Sequence, residues 1–257
     1  ATNRRIKRLV QLNQKSKLRR TEDVFLAEGV KMFLEAPREQ LQEVYVSESF
    51  LEKCSCREHL EEVGYEVVSD SVFSKISDTC TPQGVLCVLK QFHYNIEEML
   101  RDKAPLFLLL ENIQDPGNLG TMLRTGEGAG VSGIIMSRDT VDLYNPKVIR
   151  STMGSIYRVP FYYADDFAAA VHQVQQAGVS VYAAHLRGKN SYACQDYTKG
   201  TAFLIGNEGN GLREETAELA DCYIRIPMEG KVESLNAAVA SSILMYEAHR
   251  QRATIEK

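Results

Sequence analysis

The chain has 257 residues, of which 44% are hydrophobic and 25% charged, and a formal net charge of −4. That makeup fits one large globular domain or two small ones and excludes a disordered polyelectrolyte. The overall charge does not advertise a polyanion partner. No apolar run reaches bilayer length and no secretory core precedes one, so neither a membrane helix nor an export signal is expected.

Charge is unevenly spread. Residues 1–20 carry Arg4, Arg5, Lys7, Arg8, Lys15, Lys17, Arg19 and Arg20 and no acid, which leaves the rest of the chain acidic. A basic arm on an acidic body is a nucleic-acid footprint. A solvated amphipathic helix, with Ile6, Leu9, Val10 and Leu12 toward a core or a partner, is the other reading. From Glu22 onward, strand-like runs at Val24–Ala27, Val44–Val46, Tyr65–Val68 and Gly84–Leu89 alternate with helical or loop segments, Glu28–Glu35 among them. This describes a small layered α/β unit. Gln91–Pro105 is polar with one short helix, and the boundary is placed there. The expected division is an arm at 1–20, a substrate-binding unit at 21–92, a linker at 93–104 and a second domain at 105–257.

The second domain opens with Leu106–Leu110, a continuous apolar run suited to a strand buried on both faces. Helix signals cover Asn118–Glu127, and a strand follows at Gly133–Ser137. Pro146 begins a helix at its first turn. Val159–Tyr162 is strand-like and Asp165–Gln176 helical. Strands are expected at Val179–Ala183, Thr201–Ile205 and Cys222–Ile226, with a helix at Arg213–Ala220. A long helix runs from Leu235 to about Gln251, with Ala237, Ala240, Ile243, Leu244 and Ala248 at helical spacing. The fold class is therefore α/β, with a mainly parallel sheet in the carboxyl-terminal domain.

Six cysteines form no Cys-x-x-Cys pair and no histidine clusters with them, so neither zinc nor a disulfide framework is expected. Gly128, Gly130 and Gly133 spell Gly-x-Gly-x-x-Gly, but a helix precedes and a strand follows. That is the reverse of a dinucleotide fingerprint and fits a helix C-cap. Three other blocks each start where a strand-like run ends. The first spans Asn112–Thr125 and contains Asp115, Pro116, Asn118, Gly120 and Arg124. The second is Gly206-Asn207-Glu208-Gly209-Asn210-Gly211-Leu212. The third, Ile226–Asn236, contains Pro227, Met228, Gly230, Ser234 and Leu235. Loops at the carboxyl ends of strands in an open α/β sheet form one crevice. Glu208 would repel a phosphate, so the second loop suits a cationic or hydrogen-bond-donating ligand; a Gly-rich turn with an acid at a helix start is the plainer reading. Ser234 reads as the N-cap of the last helix, and Arg124 alone would read as a structural cation paired with an acid.

Together the three blocks resemble the SpoU (TrmH-like) family of RNA ribose 2′-O-methyltransferases, within the SPOUT superfamily. The resemblance covers roughly residues 106–251; Phe25–Gly29 and Thr81–Gly84 resemble the family's substrate-binding domain more loosely. It implies a deep trefoil knot in the second domain, S-adenosylmethionine as cofactor and a cytoplasmic homodimer acting on RNA, with no metal and no membrane. Gly206, Ile226 and Leu235 would supply main-chain contacts to the cofactor, with Leu204, Met228 and Ala237 nearby. Arg124 would be catalytic, holding the phosphate and the developing alkoxide, with Asn118, Glu208, Ser234 and Asn236 fixing it and the ribose. The full amino-terminal domain and its arm look more like rRNA-modifying members than tRNA-modifying ones. A catalytically silent RNA-binding protein of the same fold is the further alternative.

Overall fold

A computed structural model of the protein describes residues 4–255. Residues 1–3 and 256–257, the outer ends of the expected arm and second domain, lie outside the described residues. In chain order the elements are α1 (Arg4–Gln14), α2 (Ser16–Glu22), β1 (Val24–Glu28), α3 (Val30–Leu34), β2 (Leu41–Ser47), α4 (Glu48–Lys53), α5 (Arg57–Val63), β3 (Glu66–Val68), α6 (Asp70–Ile76) and β4 (Val85–Lys90). They continue with α7 (Ile96–Met99), β5 (Leu106–Leu110), α8 (Pro116–Ala129), β6 (Gly133–Ser137), α9 (Pro146–Thr152), β7 (Phe161–Ala164), α10 (Phe167–Gln176) and β8 (Ser180–Ala184). The last are β9 (Asn190–Ser191), β10 (Thr201–Ile205), α11 (Glu214–Ala217), β11 (Cys222–Arg225) and α12 (Ala237–Ile255).

Two compact units emerge. The first comprises the chain up to Phe92 together with Asp142–Tyr157; the second comprises His93–Val141 and Arg158 onward. In the first, four strands pair in the order β1-β4-β2-β3, with only β2 and β3 parallel. The expected single basic helix is two, broken at Lys15, whose extended backbone precedes α2. The amphipathic reading of this segment holds for its apolar side, because Leu9 and Leu12 are buried with Leu26, Tyr45, Phe73 and Leu86. The helix begun by Asn145, whose side chain accepts from Lys147 N, packs on β1 of this unit although it lies far along the chain.

The second unit is a seven-stranded sheet in the order β7-β6-β5-β10-β8-β11-β9, and its strand pairs are parallel. Leu106–Leu110 and Thr201–Ile205 are wholly buried central strands, as their unbroken apolar runs require. Asp115 caps α8 by accepting from Asn118 N at 2.7 Å, with Pro116 in the first turn. Gly130 ends that helix at φ 76°, the left-handed cap that a side chain would strain, so the Gly-x-Gly-x-x-Gly string is a helix end. The Val159–Tyr162 expectation moves to Phe161–Ala164, and the Arg213–Ala220 helix shrinks to the single turn of α11. α12 lies against α8, β10 and β5.

Candidate active site

β5 and β10 are neighbours, yet β5 is followed by β6 on one side while β10 borders β8 on the other. Their outgoing loops part there, leaving the crevice that open α/β sheets use for ligands. A cavity of about 260 Å³ opens beside it, at the ends of β8, β10 and β11, with Gly206 to Leu212 on one wall and Ile226, Met228, Ser234 and Leu235 on another. Ala237 and Ala240 of α12 also line it, as do Ala184, His185 and Leu186 after β8. Ala184–Leu186 were not singled out from the sequence; their only signal was their place just after a strand.

The second loop folds tightly on itself. A Cβ on Gly206 would lie 2.2 Å from both the Gly211 carbonyl carbon and the Leu212 nitrogen, so only glycine fits. Asn207 and Gly211 exchange main-chain bonds, and the Asn207 Oδ1 accepts from Gly209 N and Asn210 N at 3.0 Å. The third loop stays irregular: among the described residues, no main-chain group from Pro227 to Leu235 makes a hydrogen bond within the chain.

Three predicted site residues form one chain of hydrogen bonds. Asn236 Nδ2 donates to Asn118 Oδ1 at 2.9 Å, and Asn118 Nδ2 donates to Glu208 Oε1 at 3.1 Å. Glu208 also accepts from Asp115 N at 3.0 Å and Gln114 N at 3.1 Å. Burial pushes the Glu208 carboxyl up, but the bonds from Asn118, Asp115 and Gln114 outweigh it and hold the group below its ordinary value. Glu208 is thus an anion at neutral pH, tied to the first loop rather than free in a Gly-rich turn.

The remaining expected site residues fall in different places. Arg124 is exposed on α8, and no ion pair or hydrogen bond engages it among the described residues. The structural-cation reading of Arg124 therefore finds no acid. Ser234 is exposed and does not cap α12. Asn236 does, accepting from Ala238 N at 2.9 Å and Val239 N at 3.2 Å, so the helix begins at Ala237 and leaves Leu235 in the loop. Gly206, Ile226, Met228, Leu235 and Ala237 line the cavity. Leu204 does not: it is fully buried among Phe107, Val171 and Ala183, because alternation along β10 turns it away and gives Ile205 to the cavity.

In the first unit the basic set divides. Arg19 is 3% exposed, donating to Leu12 O at 2.6 Å and Asp142 Oδ2 at 2.5 Å, and is removed from any surface role. Arg8 is bound by Glu22 at 2.6 Å and Glu43 at 2.7 Å, and Arg5 pairs with Glu66. Among the described residues Arg20 donates only to Ser16 Oγ, at 3.4 Å. Arg4, Lys7, Lys15 and Lys17 are exposed and have no acid partner among the described residues. Among those residues no group of three metal-ligating side chains occurs, and no helix is long and apolar enough to cross a membrane.

Residues 105–246 match the SpoU rRNA Methylase family, and residues 3–87 match the MRM3-like substrate binding domain. The chain is 32% identical over 249 residues to the 23S rRNA (guanosine(2553)-2′-O)-methyltransferase RlmP of Bacillus subtilis, covering 96% of each. It is similar to the AdoMet-bound rRNA methyltransferase from Sinorhizobium meliloti (TM-score 0.83, 32% identity, 97% of this chain and 95% of that one). It is also similar to the SpoU methyltransferase AviRb from Streptomyces viridochromogenes in complex with AdoMet (TM-score 0.89, 26% identity, 98% and 99%). Three loops joined by the Asn236–Asn118–Glu208 hydrogen bonds and a family match over more than half of its length place this chain in the SpoU rRNA methylase family.

Proposed function

We propose that this chain transfers the methyl group of S-adenosylmethionine to a ribose 2′-hydroxyl of ribosomal RNA. The observation that carries the reading is the Asn236–Asn118–Glu208 chain, which ties the first and third loops to the cavity-forming second loop, on the helix that also carries the unpaired Arg124. Similarity to rRNA-modifying and AdoMet-bound relatives supports it.

The cavity suits that methyl donor. Gly206 keeps its wall free of side chains, the unspent main-chain groups of the third loop offer donors and acceptors for an adenine edge, and Ile205, Met228 and Leu235 supply apolar packing. S-adenosylmethionine, when bound, supplies an electrophilic methyl on a sulfonium. Gly206, Ile226 and Leu235 hold it by main chain, with Met228 and Ala237 packing beside it. The Glu208 charge favours a cation in the crevice. Arg124 is a permanent cation with a planar fork of donors. It holds the RNA phosphate and the charge developing on the ribose oxygen, while a phosphate oxygen or water takes the proton. Asn118, locked at both ends of its amide, and Asn236 orient the ribose; Ser234 adds a hydroxyl at the exposed rim. Positioning of the two reactants supplies much of the acceleration.

The reading extends to the assembly and chain path. The enzyme works as a cytoplasmic homodimer whose partner completes the RNA side of the pocket. The segment from β11 into α12 threads a deep trefoil knot; β8 lying between β10 and β11, and α12 returning onto α8, support this. The unpaired cations Arg4, Lys7, Lys15, Lys17 and Arg20 contact RNA backbone.

The test is transfer of labelled methyl from S-adenosylmethionine to separated rRNA and tRNA pools, with ribose methylation mapped by resistance to alkaline cleavage. Label in rRNA at a 2′-oxygen, lost with Arg124→Ala, is the expected result. Label in tRNA alone would move the substrate to the other RNA class. Cofactor and RNA binding without label would leave a silent binding protein.

A further inference from the structure

The second loop is fastened to the strand ends at its far side too, by groups that take no part in the site described above. Glu111 directly follows β5 and is 2% exposed. Its Oε2 accepts from Arg213 N at 2.8 Å and its Oε1 from Thr216 Oγ1 at 2.5 Å, with Arg213 Nη1 at 3.4 Å. The other end of the Arg213 guanidinium pairs with Asp139, just beyond β6. Asp139 in turn accepts from Ser137 Oγ, and Ser137 Oγ accepts from Asn112 N at 2.8 Å. The ends of β5 and β6 and the exit of the Gly206–Leu212 loop are thereby joined through one buried carboxylate and one guanidinium. At the loop's entry, Asn207 Nδ2 donates to Asn112 O at 2.8 Å.

We infer that Glu111, with Arg213, is a positioning residue for the methyl donor: it sets the exit of the second loop so that the Gly206–Leu212 wall of the cavity and Glu208 stand in register with Asn118. The inference rests on the proposed cofactor reading and deepens it. A loop held at both ends has one arrangement; freed at its exit, it loses the pre-set geometry that lowers the cost of binding. Removing Glu111 also leaves the inward-facing Arg213 N–H without its acceptor, so the loop must move to satisfy it.

The experiment measures S-adenosylmethionine binding calorimetrically, and RNA binding separately, on the full chain and on Glu111→Ala, Glu111→Gln and Arg213→Ala, each checked for folding by circular dichroism. Arg213→Ala leaves the main-chain bond to Glu111 in place, so it reports on the clasp without emptying the buried site. Expected are a tenfold or greater rise in the cofactor Kd for Glu111→Ala and a threefold or greater rise for Arg213→Ala. Glu111→Gln keeps an oxygen for Arg213 N and should stay within about threefold of the parent. RNA Kd should change less than twofold in all three. A carboxylate that only supports the fold would lower Tm and leave the cofactor Kd of the folded variants alone. That outcome, or an RNA Kd rising in step with the cofactor Kd, overturns the inference. Absence of cofactor binding in the parent chain would instead overturn the functional reading beneath it, and the inference with it.

Discussion

Replacing Glu208 by Gln should weaken the second unit by about 1 kcal/mol at neutral pH and nothing at acid pH. Four N–H groups converge on its two oxygens: Asp115 N and Asn118 Nδ2 on one, Gln114 N and, at 3.5 Å, Asn207 Nδ2 on the other. An amide offers one acceptor oxygen, so at least one donor faces an NH₂. A hydrogen bond to a charged group contributes roughly 1.5–3 kcal/mol. Glu208 is only partly buried, and solvent competition brings the net loss to about 1 kcal/mol. For a domain of this size that lowers Tm by about 2–4 °C. The sign of the pH dependence follows from the direction of the shift. The folded carboxyl lies below its unfolded value, so its contribution is complete above the unfolded value and disappears as pH falls through the folded one. A protonated Glu208 resembles the glutamine, and the parent and Glu208→Gln should converge. Urea melts of both proteins at pH 7 and at descending pH check this. A stability gap that persists or widens below the carboxylate range would refute the hydrogen-bond account of Glu208.

Arg124→Ala should lower kcat at least 100-fold, with the cofactor Kd within twofold in calorimetry, since no hydrogen bond or ion pair among the described residues holds that side chain. Loss of cofactor binding would reassign it to the fold. Lys7→Ala, Lys15→Ala and Lys17→Ala combined should weaken RNA binding and flatten its salt dependence, measured by filter binding at several salt concentrations. Arg19→Ala should leave that slope unchanged while costing about 2–3 kcal/mol in urea melts, because it strands Asp142 and two carbonyls. Leu204→Ala should cost about 2–5 kcal/mol with an unchanged cofactor Kd, and Met228→Ala should do the reverse, raising the Kd with little change in Tm.

What the sequence disclosed was set by how local the determining physics is. The strand ends and their loops were legible because clusters of Gly, Asn and Pro interrupt apolar runs, and such residues have few other uses. Leu204 and Ile205 were not separable, since a strand buried on both faces has no alternation to set its phase. Arg19 looks in sequence like its seven basic neighbours. It is buried because Asp142 arrives from 123 residues away, and no window of sequence contains both. The same distance hid the return of α9 to the first unit. Glu111 has no local signal either; its partners Arg213 and Thr216 lie 102 and 105 residues on.

Asn236 shows why site chemistry and local structure were confused at one point and how they separate. Ser234 and Asn236 are both good N-caps, and a helix start two residues either way satisfies the same pattern. The choice falls to Asn236 because its amide has two different ends. Oδ1 accepts from Ala238 N and Val239 N and so starts α12; Nδ2 donates to Asn118 Oδ1 and so joins the third loop to the first. A serine could cap but is too short to span both, and an aspartate could cap but would set an acceptor against the Asn118 oxygen. Asn118 then has only its own Nδ2 left for Glu208, which fixes the order of donors and acceptors along the whole chain. One amide thus sets the first residue of α12, leaves Leu235 in the cavity wall rather than in the helix, and orients the amide beside which Arg124 is carried on α8.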